Sequence, residues 1–167
     1  MIGPVIFDSN ILVDHFNGIE QARHELKYRR DAVISAVTWM ELMTAFEAKI
    51  LAGILSEPDY AAAKSVLSLF PVVGISDAIM EETARVRGRS LFNKKKLALP
   101  DAIILATAAV TKRILVTRNI NDFDMYAPNV RVPYLAEITN RRSPSTINLF
   151  TPVSDLAVVI TYVALPP

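Results

Sequence analysis

Four carboxylates stand where a solvated surface charge is not the default: Asp8 in "VIFDSN", Glu41 in "TWMELM", Asp101 in "LPDAII" and Asp122 in "NDFD". Each abuts apolar sequence, and acidic side chains are seldom buried without a partner. Each also has an ordinary reading. Asp8 caps a helix beginning near Ser9, Glu41 completes a capping box with Thr38, and Asp122 stabilises a turn with Asn119 or Asn121. Asp101 serves the dipole of a helix that Pro100 opens at its first position, an effect worth less than about 1 kcal/mol. As a set they allow more. Carboxylates sharing one cleft repel one another and raise one another's pKa unless a cation neutralises them. The chain has no cysteine and two histidines. A thiolate zinc set is therefore excluded, and His15 and His24 read as ordinary helix residues. Hard oxygen donors select Mg²⁺ or Mn²⁺, which keep several waters when held by one or two carboxylates. Such a site is suited to directing a water at a phosphodiester and offsetting charge on the leaving oxygen. In-line attack would leave a 5′-phosphate and a 3′-hydroxyl.

The elements that must position these acids alternate between strand and helix. Val5 to Phe7 reads as a strand that ends at Asp8, Ser9 and Asn10. Residues 19 to 30 place Ile19, Ala22 and Leu26 on one helical face. A second strand, Ala32 to Ala36, turns helical near Thr38, with Leu42, Ala45, Phe46 and Leu51 along one stripe. Pro58 opens another helix, "VVGIS" reads as a strand, and a helix starts near Ser76. The Asp101 helix runs into a strand at Ile114 to Thr117, and "VRVPYL" closes the periodic part near residue 135. Strands alternating with helices imply parallel strands joined by crossovers, so the expected fold is a three-layer α/β/α sandwich. Ligands in such folds sit beyond the carboxyl ends of the strands. Asp8, Glu41 and Asp122 fall there, whereas a regular layer is expected to leave the start of the Asp101 helix at the opposite end.

The bulk properties fit this class. A length of 167 residues with 51% hydrophobic and 21% charged residues describes a globular chain of ordinary domain size. The longest apolar runs fall short of the roughly 20 residues a bilayer requires, and "MIGPVIFDSN" does not resemble a signal peptide, so a cytoplasmic protein is expected. A net charge of +1 and a pI near 8.0 do not mark a strongly basic nucleic-acid binder, although a local basic face is compatible with them.

The segments "FDSNILVD" (7 to 14), "SAVTWMELMTAF" (35 to 46), "LPDAIILATA" (99 to 108) and "LVTRNINDF" (115 to 123) together resemble the PIN-domain ribonucleases, most closely the toxins of VapBC-type toxin–antitoxin pairs. The resemblance covers about residues 2 to 135. It divides the chain into a nuclease domain, 1 to 138, and a C-terminal extension, 139 to 167. It implies that the four acids converge at an edge of a parallel sheet, which supplies a placement for Asp101, and gives Asp8, Glu41, Asp101 and Asp122 catalytic and metal-holding roles. Asn10 and Thr117 match polar positions that support the pocket. Asn119 stands where some members carry an acid, and Asp124 lies close behind Asp122 as an alternative fourth carboxylate. The chain departs from the usual "DTN" in having "DSN", which keeps a hydroxyl at Ser9.

The implied activity is a metal-dependent endoribonuclease that cuts structured RNA. Basic residues at Lys27 to Arg30, Arg85 to Lys96, Lys112, Arg113 and Arg118 would oppose the repulsion between acids and phosphates. Arg89, Lys94, Lys95, Lys96 and Arg118 are the candidate RNA contacts. Trp39 reads as core rather than as a base-stacking platform. The resemblance also implies a homodimer formed through the early helices, and an antitoxin whose C-terminal segment covers the groove and inserts an Arg or Lys among the acids. Two other readings stay open: a PIN-like scaffold that binds without cutting, and a phosphatase-like fold using Asp8 as nucleophile. The latter lacks the second aspartate, since Asn10 stands there. The tail has linker character at Ser143 to Thr146 and a β-branched apolar run from Leu156 to Leu165, which needs a pairing partner.

Overall fold

Successive side chains of a strand point to opposite faces of its sheet, so a strand buried on both faces is apolar throughout. Three short strands of this chain approach that character, β1 (Val5–Phe7), β4 (Ile114–Val116) and β2 (Val33–Ser35), the last apolar up to its final serine. The computed structural model describes residues 3–27, 31–119, 123 and 129–134. In it these strands form the middle of a five-stranded parallel sheet. Its edges are β3 (Val72–Val73) and β5 (Val130–Arg131), and the order is β3-β2-β1-β4-β5. Ile6 is paired with Val33 on one side and with Leu115 on the other.

The alternation sorts the helices into two layers. Val5, Phe7, Ile34 and Val116 face α1 (Ser9–Phe16), α3 (Ala36–Leu51) and α4 (Glu57–Leu67), with Ile11, Leu12, Leu42, Phe46 and Leu67 filling the space. Phe7 meets Phe70 edge to face at 5.8 Å, and Phe16 meets Phe46 at 5.1 Å. Ile6, Val33 and Leu115 face the other way, against α5 (Asp77–Phe92) and α6 (Leu99–Val110) through Val86, Ala102, Ile104 and Leu105. Helix α2 (Glu20–Lys27) adds half-buried Leu26 to the first layer. The result is the expected three-layer sandwich. Each large apolar side chain buried here contributes about 1.5–3 kcal/mol.

Several details depart from the sequence reading. Helix α3 begins at Ala36 rather than near Thr38, because the Ser35 side chain is its cap and accepts a 2.9 Å hydrogen bond from the Thr38 amide. Thr38 is thus inside the helix, and Glu41 faces a cleft instead of completing a box. Leu51 is off the stripe and exposed; five residues beyond Phe46 a helix has turned away, and the buried position is Lys49. Helix α6 starts at Leu99, which puts Pro100 second and Asp101 third. Its placement also corrects an expectation. A helix that enters its strand through the tight turn Thr111–Arg113 runs antiparallel to it, so the start of α6 returns to the carboxyl end of the sheet. Ordinary βα geometry brings Asp101 to the other acids. Edge strands β3 and β5 are shorter than "VVGIS" and "VRVPYL" suggest, and Pro133 offers no N–H to continue a ladder. Residues 28–30, Asp122, Asp124 and the whole extension 139 to 167 lie outside the described residues.

The link from α5 to α6 is bolted down. Buried Ser90 donates its hydroxyl proton to the Lys95 carbonyl and accepts the Leu97 amide at 2.9 Å, while Arg87 donates to the Leu97 carbonyl at 2.6 Å. Lys94 adopts a left-handed backbone with φ of 58°.

Candidate active site

The strand order reverses direction between β1 and β4, and in open α/β sheets such a switch point leaves a crevice beyond the strand ends. Both flanking strands end in polar residues here. Asp8 follows β1, and Thr117, Arg118 and Asn119 follow β4.

Asp8 is the N-cap of α1, in keeping with its ordinary reading, and it is also the deepest acid of the cleft at 3% exposure. One carboxylate oxygen accepts from the Ser9 amide at 2.7 Å, with the Ser9 hydroxyl at 3.4 Å. The other accepts from the Asn10 side-chain amide at 2.7 Å and the Thr117 hydroxyl at 2.6 Å. Thr117 in turn accepts from Asn10 at 2.9 Å and from the Asn119 amide at 3.0 Å. The hydroxyl thereby donates once and accepts twice, which exhausts its capacity. The Arg118 amide donates to the Asn10 side-chain carbonyl at 3.1 Å and so sets which way round the Asn10 amide lies.

A cleft of about 610 Å³ opens over this network, lined by Asp8, Ser9, Asn10, Glu41, Asp101 and Asn119 at its polar end. Its other wall is apolar, formed by Val13, Val37, Leu42, Ala45 and Ala48 of α1 and α3, with exposed Met40 at the rim. Glu41 comes from the second turn of α3 and Asp101 from the first turn of α6. Three separate elements therefore deliver three carboxylates to one depression.

Their electrostatics follow from that burial. Desolvation pushes the Asp8 carboxyl above its ordinary range, and the bonds from Thr117, Ser9 and Asn10 pull it back only in part. Desolvation also raises Glu41; a hydrogen bond from Ser9 opposes the rise and the nearby charge of Asp8 adds to it. Ser9 thus links the two acids, which is the use of the hydroxyl that "DSN" retains.

The donor set fits a hard cation. Among the described residues no three acidic or imidazole side chains form a ready ligand cage. Mg²⁺ does not need one, since it is commonly held by one or two carboxylates and retains its waters. Asp8, Glu41 and Asp101 supply oxygen ligands only, and two of them are electrostatically uncomfortable without a positive partner.

The structure brings Asp8, Glu41, Asp101, Asn10 and Asn119 to the cleft wall and puts Thr117 directly beneath Asp8. Arg89 and Lys94 to Lys96 are exposed on the last turn of α5 and the loop after it, and none lines the cleft. Arg118 directs its guanidinium at Asp14, with nitrogen–oxygen distances of 2.5 and 2.8 Å. Sequence reasoning misses Asp14. The signal available is its position four residues after Asn10, which puts both on one helical face.

A PIN-domain family model matches residues 5–127. A chain of a toxin–antitoxin complex from Klebsiella pneumoniae is 35% identical, with 79% of this chain and 99% of that one covered and a TM-score of 0.66. A chain of the DNA-bound VapBC complex from Salmonella typhimurium shares the fold at 21% identity, covering 78% of this chain and 96% of that one, TM-score 0.67. A chain of FitAcB from Neisseria gonorrhoeae does so at 21% identity, with 77% and 97% covered and a TM-score of 0.65. No curated protein sequence matches the chain.

Proposed function

Because the chain belongs to the PIN-domain family, we propose that its cleft is the active site of a Mg²⁺- or Mn²⁺-dependent endoribonuclease that cuts structured RNA and serves as the toxin of a toxin–antitoxin pair. The observation that carries this reading is the convergence of Asp8, Glu41 and Asp101 from three elements at the switch point of the sheet. These carboxylates, with Asp122 or Asp124 as the fourth acid, hold the ion. When bound, the ion supplies Lewis acidity toward the phosphodiester and lowers the pKa of an attacking water. The chain's own contribution is orientation: Thr117 and Asn10 fix one Asp8 oxygen, and Ser9 ties Asp8 to Glu41.

Arg89 and Lys94 to Lys96 lie on the approach to α6 and offset the repulsion that phosphates would meet at the acids. The bolted loop holds them in a fixed place, so their role is grip rather than chemistry. Likeness to the Klebsiella toxin–antitoxin complex supports an antitoxin partner. The apolar wall of α1 and α3 beside the acids suits a partner segment that buries aliphatic side chains there and presents an Arg or Lys to the carboxylates. A homodimer through the early helices belongs to the same reading.

The test is cleavage of a panel of structured RNAs by the full chain freed of antitoxin, with Mg²⁺ or Mn²⁺ and with chelator, beside Asp8→Asn. Metal-dependent scission that leaves 5′-phosphates and is lost in the variant supports the proposal. RNA bound but never cut would favour the scaffold, and hydrolysis of small phosphate esters alone would favour the phosphatase reading.

A further inference from the structure

Helix α1 and the segment after β4 touch at more than the Asp8 network. One turn beyond Asn10, the Asp14 carboxylate is almost buried: Arg118 Nη2 donates to one of its oxygens at 2.8 Å, and Nε lies 2.5 Å from the other in an ion pair without hydrogen-bond geometry. The oxygen nearest Nε also takes a bond from the Tyr134 hydroxyl at 2.9 Å, just past β5. Arg118 is the residue between Thr117 and Asn119, and its amide is the donor that orients Asn10. Its two ends therefore act on the same helix, the amide on Asn10 and the guanidinium on Asp14.

We propose that Asp14 and Arg118, with Tyr134 as a third member, form a positioning clamp that holds the Asp8 carboxylate in the orientation that binds the metal. The inference rests on the metal reading of the cleft. The clamp works through backbone placement. The guanidinium pins residue 118 to α1, which keeps the Thr117 hydroxyl at 2.6 Å from Asp8 and the Asn10 amide turned so that its NH₂ group, not its carbonyl, meets the carboxylate. The ion pair ties the short stretch Thr117 to Asn119 to α1 through a contact separate from the bonds around Asp8. Neither Asp14 nor Arg118 lines the cleft, so neither is a ligand or a substrate contact there. An arginine suits this place because its charge is held at all pH values and its Nη2 reaches the Asp14 oxygen directly. Arg118, grouped by sequence with the RNA contacts, is thereby given a different task.

The experiment is calorimetric titration of Mn²⁺ into the metal-free full chain, wild type beside Arg118→Gln, Asp14→Asn and the double variant, with thermal unfolding of each. Partners that orient a ligand typically carry 10- to 100-fold in metal affinity. Each single variant is expected to lose about tenfold in Mn²⁺ affinity, and the double variant no more than the worse single, since both remove one clamp. Asp14→Asn is nearly isosteric but removes the charge that holds the guanidinium, so it carries the test if Arg118→Gln folds poorly. Full Mn²⁺ affinity in folded single variants, with only a lowered Tm, would overturn the clamp and leave an ordinary structural ion pair. Losses that add in the double variant would overturn it as well. A wild type that takes up no Mn²⁺ would instead overturn the metal reading itself, and the clamp with it.

Discussion

Thr117→Val tests the network beneath Asp8 with almost no change of shape. Thr117 is fully buried, and its hydroxyl donates to Asp8 while accepting from Asn10 and from the Asn119 amide. Valine fills the same volume but leaves Asp8 short of one donor and two N–H groups short of an acceptor. A buried polar group left unpaired costs about 1–3 kcal/mol. Asn119 is half-exposed and regains water, and Asn10 keeps its bond to Asp8, so the net loss is about 2–4 kcal/mol. For a chain of this size that corresponds to a fall in Tm of about 5–15 °C. Urea unfolding of the metal-free protein gives the stability directly, and Mn²⁺ titration gives the effect on the site, expected at about tenfold weaker binding. Thr117→Ser restores the hydroxyl and is expected to recover most of the Mn²⁺ affinity. A Thr117→Val protein within about 0.5 kcal/mol of wild type, the range of an ordinary surface change, and with unchanged affinity would mean that the hydroxyl does not hold Asp8 in place.

Two further outcomes follow from the same geometry. Glu41 has its carboxyl raised by burial, so its ionised form weakens the metal-free fold; that cost is fully present above its folded pKa and fades as pH falls toward 4.5, its ordinary value. Glu41→Gln is therefore expected to raise the Tm of metal-free protein at pH 7 and to lose that advantage on acidification to about pH 4.5, where both chains carry a neutral side chain; a gap between the two melting curves that does not narrow would mean that Glu41 is not desolvated. Replacing Lys94, Lys95 and Lys96 by Ala is expected to weaken RNA binding and to flatten its dependence on salt, by up to about one unit of log–log slope for every phosphate that the loop ceases to neutralise. An unchanged slope in a filter-binding series would remove that loop from the RNA path.

Much of this molecule is legible in its sequence because its signals are local. The short apolar runs at 5–7, 32–34 and 114–116, separated by helical periodicity, imply a parallel sheet with helices on both faces, and Pro58 and Ser76 mark the starts of their helices correctly. Asp8 and Glu41 can be placed at strand ends from the same pattern. The start of α3 is less visible because Ser35 and Thr38 are both capable caps, and only tertiary contact decides for Ser35. Asp101 is legible as an odd carboxylate, but the regular-layer argument sets it at the wrong end, through the direction of the helix and not its content. The clamp is hidden because Asp14 and Arg118 lie far apart in the chain, and nothing local distinguishes a basic side chain that meets phosphate from one that meets a buried acid.

If carboxylates from separate elements make one metal site, Asp101 is the acid to examine, because its ordinary reading is sufficient on its own. The measurement is a calorimetric Mn²⁺ titration of purified wild-type protein beside Asp101→Asn, and it requires no knowledge of a substrate. Saturable binding to the wild type that is lost in the variant is the expected result. Identical titrations would contradict it and leave Asp101 as a helix-end residue in a fold whose cleft does something else.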